Sequence, residues 1–323
     1  MNFSDECATL AFYGIDATKE RMVVFYNGVV ELFSSLGHPA TSLGVTGKGY
    51  GPKLTAFLRA DNKLRKTQFL NVNSVSIYAG IPGDSVPNNQ NVMSASMDTS
   101  CAVIVARSSI LSLQNMLPLL AKMLKNLNPI YGIGYNRSYK KGPWHYAVGV
   151  GYSYGIQEAI ESITGSAREE KSRISKWSQI GMEQEVYRQG LLRDVYAWNI
   201  LTAPQLQKAV NGVPLKNWIQ ADKFRGKLNI LNDSVTLWEV EEEKSSEIRS
   251  VLWDAGVIFD WRKFVPQHTE PLNPDESLSM VLDLYKKHGV APDDVQVLSG
   301  KTGKEILPAQ VKEIANKSRK KKA

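Results

Sequence analysis

The stretch Arg193–Ile230 (RDVYAWNILTAPQLQKAVNGVPLKNWIQADKFRGKLNI) constrains the fold more than any other part of this chain. Its apolar run Val195–Leu201 predicts a strand. Pro204 then opens a helix, because its missing N–H costs nothing in a first turn. Leu206 and Val210 mark the inner side of that helix, and Gly212 supplies a left-handed cap. A second short helix and another strand, Leu228–Leu231, complete the stretch. Elements this short, joined by hairpin signals, do not build a regular βαβ alternation.

The flanking regions repeat the mixture. Met22–Tyr26 reads as a strand that continues into an apolar-periodic segment around Val29, Val30, Leu32 and Phe33. Pro52 opens a helix with Leu54, Phe57, Leu58 and Leu64 at helical spacing. Val72–Ala79 alternates as a strand, and Ala95–Arg107 carries a β-branched core run. Ser108 or Ser109 caps a helix whose inner face is Leu111, Leu117, Leu120, Met123, Leu124 and Leu127; Pro118 kinks or restarts it, and Asn128-Pro129 stops it. Ile130–Tyr135 and Trp144–Tyr154 read as a glycine-containing hairpin around a basic turn. Residues 156–190 are helix-prone and charged. The turn Asn232-Asp233-Ser234 joins Leu228–Leu231 to Val235–Val240. Ser245 or Ser246 caps a last helix with Ile248, Val251 and Leu252 inward, ended by Gly256. The sum is an α+β protein with antiparallel or mixed sheets packed with helices. The expected division is two related lobes, 1–155 and 156–264, a Pro-rich linker 265–277, a small appendage 278–316 and a basic tail 317–323.

The composition is that of a soluble globular chain, with 43% hydrophobic and 22% charged residues. No apolar run reaches the ~20 residues that span a bilayer, and the first residues lack a secretory pattern. The expected compartment is the cytoplasm, with no membrane partner. Cys7 and Cys101 are too few for a disulfide scaffold or a zinc site. His38, His145, His268 and His288 show no ligand spacing, so neither a metal nor a cofactor is expected. The formal charge of +7 is mostly the tail, where Lys317, Arg319, Lys320, Lys321 and Lys322 lie in the last seven residues. Such a tail attracts phosphate without specificity, which leaves nucleic acid as a possible partner, but it reads first as a solvated terminus.

Three places invite a chemical reading. Asp233 followed by Glu242 and Lys244 has the order of a PD-(D/E)xK nuclease, in which two carboxylates hold Mg²⁺ and the lysine aids the attacking water. The plainer reading is acidic charge at a helix start, favoured by about 0.3–1 kcal/mol per residue. Thr46–Gly51 (TGKGYG) lacks P-loop spacing and reads as a flexible turn. Tyr135, Arg137, Tyr139, Lys140, Lys141, Trp144 and His145 form the best recognition cluster. Basic residues among aromatics can stack bases or serve as hot spots for a protein partner. Against this stands a hairpin whose aromatics alternate into the core. His145 has no Ser, Cys or carboxylate beside it in sequence and reads as structural, as do the tryptophans, Trp177, Trp198, Trp218, Trp238 and Trp253.

Leu119–Val150 resembles the central helix and following strand of a bacterial immunity family: a Leu/Ala-rich helix, a Pro, an aromatic, Gly and a small-residue strand. Arg193–Val213 resembles the later block of that family through Arg193, Trp198, Leu206 and Gly212, and Val235–Val240 is similar to its next element. The family is the type VI secretion immunity group against VRR-NUC-type nuclease effectors, with relatives among polymorphic-toxin immunity proteins. The match covers roughly residues 20–262. It departs at Trp198-Asn199, where the family has the reverse order, and it does not extend past residue 265. The resemblance implies a protein that binds and neutralises a toxin and has no catalysis of its own.

Overall fold

The computed structural model describes residues 6–51, 54–80, 91–99, 101–149 and 185–260, and two short strands further on. Their centre is a ten-stranded sheet in the order β11-β12-β8-β7-β1-β6-β5-β4-β2-β3. The strands are β1 (Glu6–Tyr13), β2 (Ser42–Gly47), β3 (Thr55–Ala56), β4 (Val72–Ala79), β5 (Met93–Met97), β6 (Cys101–Arg107), β7 (Tyr131–Ser138), β8 (Trp198–Leu201), β11 (Lys227–Ile230) and β12 (Thr236–Glu239). Every neighbouring pair in it is antiparallel. This is the α+β class that the mixed pattern predicted. The boundary at 155/156 does not divide the sheet, because β7 pairs with β8 across it. Two glycines let β7 lie close to its neighbours β1 and β8. A Cβ at Gly132 would sit 2.9 Å from the Ala11 carbonyl oxygen, and one at Gly134 would sit 2.9 Å from the Trp198 Cβ.

One face of the sheet carries α1 (Lys19–Ser35), α2 (Phe57–Lys66) and α3 (Leu117–Leu127). Leu10 and Phe12 of β1, Val75 and Ile77 of β4, Phe25, Val29 and Phe33 of α1, and Leu120 and Leu124 of α3 share this core. The other face carries α4 (Pro143–Val148), α5 (Glu185–Arg188), α7 (Leu215–Gln220) and α8 (Glu242–Asp254). Its core holds Tyr13, Val103, Tyr131, Tyr135, Tyr146, Tyr187, Tyr196, Trp238, Ile248 and Leu252. A helix α6 (Ala203–Gln207) and a two-strand pair, β9 (Ala209–Val210) and β10 (Val213–Pro214), sit between β8 and α7. Tryptophans 198, 218 and 238 are buried as expected.

Several local expectations need correction. Met22–Tyr26 belongs to α1 and not to a strand. Thr18 caps that helix, accepting from the Arg21 N–H at 3.3 Å, and Met22, Phe25, Tyr26, Val29 and Phe33 complete a buried helical stripe. The helix expected from Pro52 starts later, at Phe57, after β3; Leu64 is its buried residue, while Leu58 is 75% exposed. Ala95–Arg107 is two strands, β5 and β6, whose turn is tied by the Asp98 carboxylate accepting from the Cys101 N–H at 2.9 Å. Neither Ser108 nor Ser109 caps α3, which starts at Leu117 with Pro118 in its first turn. Gly212 does not cap α6: with Asn211 it forms the positive-φ pair, +50° and +85°, of a two-residue hairpin turn between β9 and β10. α8 begins at Glu242, ahead of the expected serine cap. Trp144–Val148, the first part of the second strand expected in the 130–154 hairpin, lies in the helix α4, and residues 150–154 lie outside the described residues. Two further strands, β13 (Val297–Leu298) and β14 (Glu305–Ile306), pair antiparallel. Most of the expected charged helices of 156–190, the linker, the rest of the appendage and the basic tail lie outside the described residues. No described helix is long and apolar enough to cross a membrane.

Candidate functional site

The recognition cluster predicted from sequence lies on β7, a 3-10 turn (Tyr139–Lys141) and α4. The structure splits it by depth. Tyr135 is buried, and its hydroxyl donates to the Pro143 carbonyl at 2.6 Å. Burial raises its pKa well above the ordinary tyrosine value. Arg137 is half-buried; its Nε donates to the Lys141 carbonyl at 3.0 Å, and its guanidinium lies 4.2 Å from the Tyr146 ring centroid. Tyr139 is half-buried under the Arg107 guanidinium, 3.5 Å from its ring centroid. Lys141 is exposed, and Lys140 precedes it in the same turn. Trp144 and His145 are half-buried, with the Trp144 indole N–H donating to Ser96 Oγ at 2.6 Å. Part of the aromatic set enters the core and part lines an opening.

That opening is a cleft of about 240 Å³ between the 139–145 segment and the sheet. Tyr139, Pro143, Trp144 and His145 form one wall, and Cys7, Tyr78, Met93 and Ser94 form another. The groups there are tuned by burial: the Tyr78 phenol is pushed up and the His145 imidazole down, so His145 favours its neutral form. Perturbed titrating groups at a concave surface mark a candidate site. A larger hollow of about 960 Å³ lies by α6 and the β11–β12 hairpin and is lined by Arg188, Lys216, Ile230 and Asp233.

The group that holds the far end of α4 was missed in sequence reasoning. Arg193, read only as the start of a family block, is 2% exposed and clamps the end of α4. One Nη donates to the Tyr13 hydroxyl at 2.6 Å and to the Ala147 carbonyl at 2.7 Å; the other donates to the Tyr146 carbonyl. Tyr13 itself donates to the Ala147 carbonyl at 2.8 Å. A cation on the last carbonyls of a helix satisfies acceptors that have no partner in the helix itself. Stacked tyrosines surround it, Tyr131 on Tyr187 at 4.8 Å and Tyr13 on Tyr187 at 5.4 Å between centroids. Next to it the buried Asp194 pairs with Arg249 of α8. The signal available in sequence was a charged Arg-Asp pair at the head of an apolar strand. Nothing local said that both would be buried.

The alternative constellation is not assembled. Asp233 sits in the turn before β12 and Glu242 follows its far end, so the strand holds them at least ~10 Å apart. Lys244 pairs instead with Glu241 at 2.7 Å, on the first turn of α8. Among the described residues no group of three His, Cys, Asp or Glu is placed to hold a metal ion.

No family model matches this chain, and no curated protein matches it. Among solved structures, the Pseudomonas aeruginosa T6SS protein PA0821 is similar, with a TM-score of 0.48 and 13% identity over 79% of this chain and 73% of that one.

Proposed function

We propose that this chain is a non-catalytic binding protein of the immunity type, which neutralises a partner protein, a toxin or effector, with the surface around Tyr139–His145. The observation that carries this reading is the way that segment is held. Tyr135 and Arg137 tie its backbone from within, Trp144 is tied to Ser96, and Arg193 fixes its far end. A surface segment fixed before contact loses less conformational freedom on binding. It also presents Trp and Tyr beside Arg and Lys, the residue types that dominate protein hot spots, around a small cleft.

The test is co-purification of the tagged chain with the product of the adjacent gene, followed by titration. Trp144→Ala is expected to weaken the complex about thirtyfold, the loss typical of a hot-spot residue of ~2 kcal/mol. Circular dichroism of the same variant checks that it is folded. A folded Trp144→Ala variant that binds at full affinity overturns the assignment of this surface. If no adjacent-gene product binds the wild-type chain, the binding reading itself fails.

A further inference from the structure

Along residues 32–97 the described chain holds one carboxylate, Asp61, against five cations, Lys48, Arg59, Lys63, Arg65 and Lys66. Four of the five cations lie on α2. At about 3.6 residues per turn, its buried side is Leu64, flanked by the half-buried Phe57 and Ala60. The opposite side carries Leu58, Arg59, Asn62, Lys63 and Lys66, all exposed. Asp61 lies on the flank of the helix and is engaged there, 2.7 Å from the Arg65 Nε and accepting from the Tyr26 hydroxyl at 2.7 Å. Glu31 of the adjoining α1 pairs with Lys122 of α3 at 2.8 Å. Lys63 donates to the Gly49 carbonyl at 2.8 Å, which sets the turn carrying the exposed Lys48 against the helix. Among the described residues Lys48, Arg59 and Lys66 have no ion-pair partner.

The turn after α2 is strained. Gln68, Phe69 and Asn71 hold φ of +50°, +58° and +57°, a costly backbone for residues with side chains. It is held by the Phe69 N–H donating to the Leu64 carbonyl at 3.1 Å and by the Phe69 ring buried against Tyr26, 5.3 Å between centroids. Its result is that Leu70, just past Lys66, stays 62% exposed.

We propose that the outward side of α2 is a second docking surface, on the sheet face opposite to α4, for an acidic amphipathic helix of a protein partner. Carboxylates on that helix lie along Arg59, Lys63 and Lys66, and its apolar stripe covers Leu58 and Leu70. Three observations select this occupant. Arg59, Lys63 and Lys66 follow one another at i, i+4 and i+7 over ~10 Å, the repeat of a facing helix. The exposed charge there is of one sign within about one Debye length, so it attracts an acidic chain and repels a basic one. Leu58, 75% exposed on the same side, is apolar area that a phosphate backbone leaves in water and an amphipathic helix covers. Rings that could stack on bases are turned away: Phe57 is half-buried against Tyr26, and Lys63 lies over the half-buried Tyr50 ring.

The experiment uses the full-length chain and three fluorescent probes: a helical peptide with Glu and Leu stripes, its Gln-for-Glu counterpart, and a short DNA duplex. Anisotropy is expected to rank the acidic peptide first. Arg59→Glu with Lys66→Glu is expected to weaken that peptide at least tenfold, and Leu58→Ser about threefold. Circular dichroism checks that these surface variants are folded. The same double reversal at Lys320 and Lys321 is expected to leave binding within about twofold. Equal losses from the two double variants would show unspecific attraction and overturn the proposal, as would failure of the acidic peptide to bind. Tighter binding of the duplex would assign this side of α2 to phosphate and overturn it too. Trp144→Ala is expected to leave peptide binding unchanged, so a failure here leaves the Tyr139–His145 reading standing.

Discussion

Phe12 and Tyr13 are neighbours on β1 and enter two different interiors. Phe12 joins Leu10, Phe25, Val29 and Phe33 in a core made almost wholly of hydrocarbon, where helices lie on the sheet through an apolar stripe. Tyr13 joins Tyr131, Tyr187 and Arg193 in a core where rings stack and the polar ends are hydrogen-bonded to one another and to the end of α4. The first arrangement is non-directional and tolerates exchange of one apolar shape for another. The second fixes positions, because a buried hydroxyl or guanidinium that loses its partner is costly. The candidate surface stands on the second face. A scaffold that must hold a short segment in one place has the reason to use directional bonds.

Alkali separates the two faces most strongly. Burial raises the phenols of Tyr13, Tyr131, Tyr135 and Tyr196, and pushes Tyr187 up to about 12. Below the ordinary tyrosine value of 10.0 the folded and unfolded chains both keep these protons. Above it the unfolded chain releases them first, so it binds fewer protons than the native state and stability falls with rising pH. The window opens near pH 10 and, for Tyr187, runs to about 12, with each unit of displacement worth about 1.4 kcal/mol. Urea titrations at stepped pH are expected to show a steep loss of stability in that window. Of the thirteen tyrosines, these five are expected to add their phenolate absorbance only with unfolding. A phenolate signal from a folded chain that Tyr187→Phe or Tyr131→Phe reduces would mean that the tyrosine face is open to water.

Substitution at the two neighbouring positions gives the next largest effects. Phe12→Ala leaves a cavity in the helical core and is expected to cost about 3–5 kcal/mol in chemical denaturation. Tyr13→Phe keeps the ring stack and removes one hydroxyl, leaving Arg193 and the Ala147 carbonyl each short of a partner. It is expected to cost about 1–3 kcal/mol. The character of the loss is the sharper test. Hydrogen exchange in α4 should rise in Tyr13→Phe beyond what the global loss accounts for, and follow the global loss in Phe12→Ala. If both variants alter α4 equally, the division of labour between the faces is wrong.

The two faces were also unequally legible in the sequence. Alternation made β4 readable, and the Asn232-Asp233-Ser234 turn marked the β11–β12 hairpin, because Asn232 Oδ1 accepts from the Ser234 and Val235 N–H groups at 2.9 Å. The helical face was misread at α1, where the β-branched Val23 and Val24 outweighed the Thr18 cap and a stripe that becomes visible only over the whole helix. The tyrosine face was harder. Trp144–Val148 has β-forming residues, yet it is a helix, since Pro143 stands in its first turn and a distant arginine holds its end. Propensity is a local quantity, whereas Arg193 and Ala147 are 46 residues apart. The cluster 135–145 was legible as a set of residue types. Which of them would turn inward was not, because β7 carries its alternation only to its end and the following turn reverses the chain.

The smallest expected effect concerns the far end of the tyrosine face, at the start of α8. Glu242 stands in the first turn of that helix, where a carboxylate interacts with the free N–H groups for about 0.3–1 kcal/mol. Glu242→Gln keeps shape and hydrogen-bonding capacity and removes only the charge, so a shift of about 0.5 kcal/mol or less is expected in denaturant titration. The same variant separates a helix-start carboxylate from a metal ligand. A ligand would make wild-type stability rise with added Mg²⁺ or Mn²⁺ by mass action, and the substitution would abolish that rise. The expected result is an equal, small response in both proteins, set by ionic screening. A cation-dependent gain confined to the wild type would bring Asp233 and Glu242 together after all. It would also require the β11–β12 hairpin to bend so that the two ends of β12 approach each other.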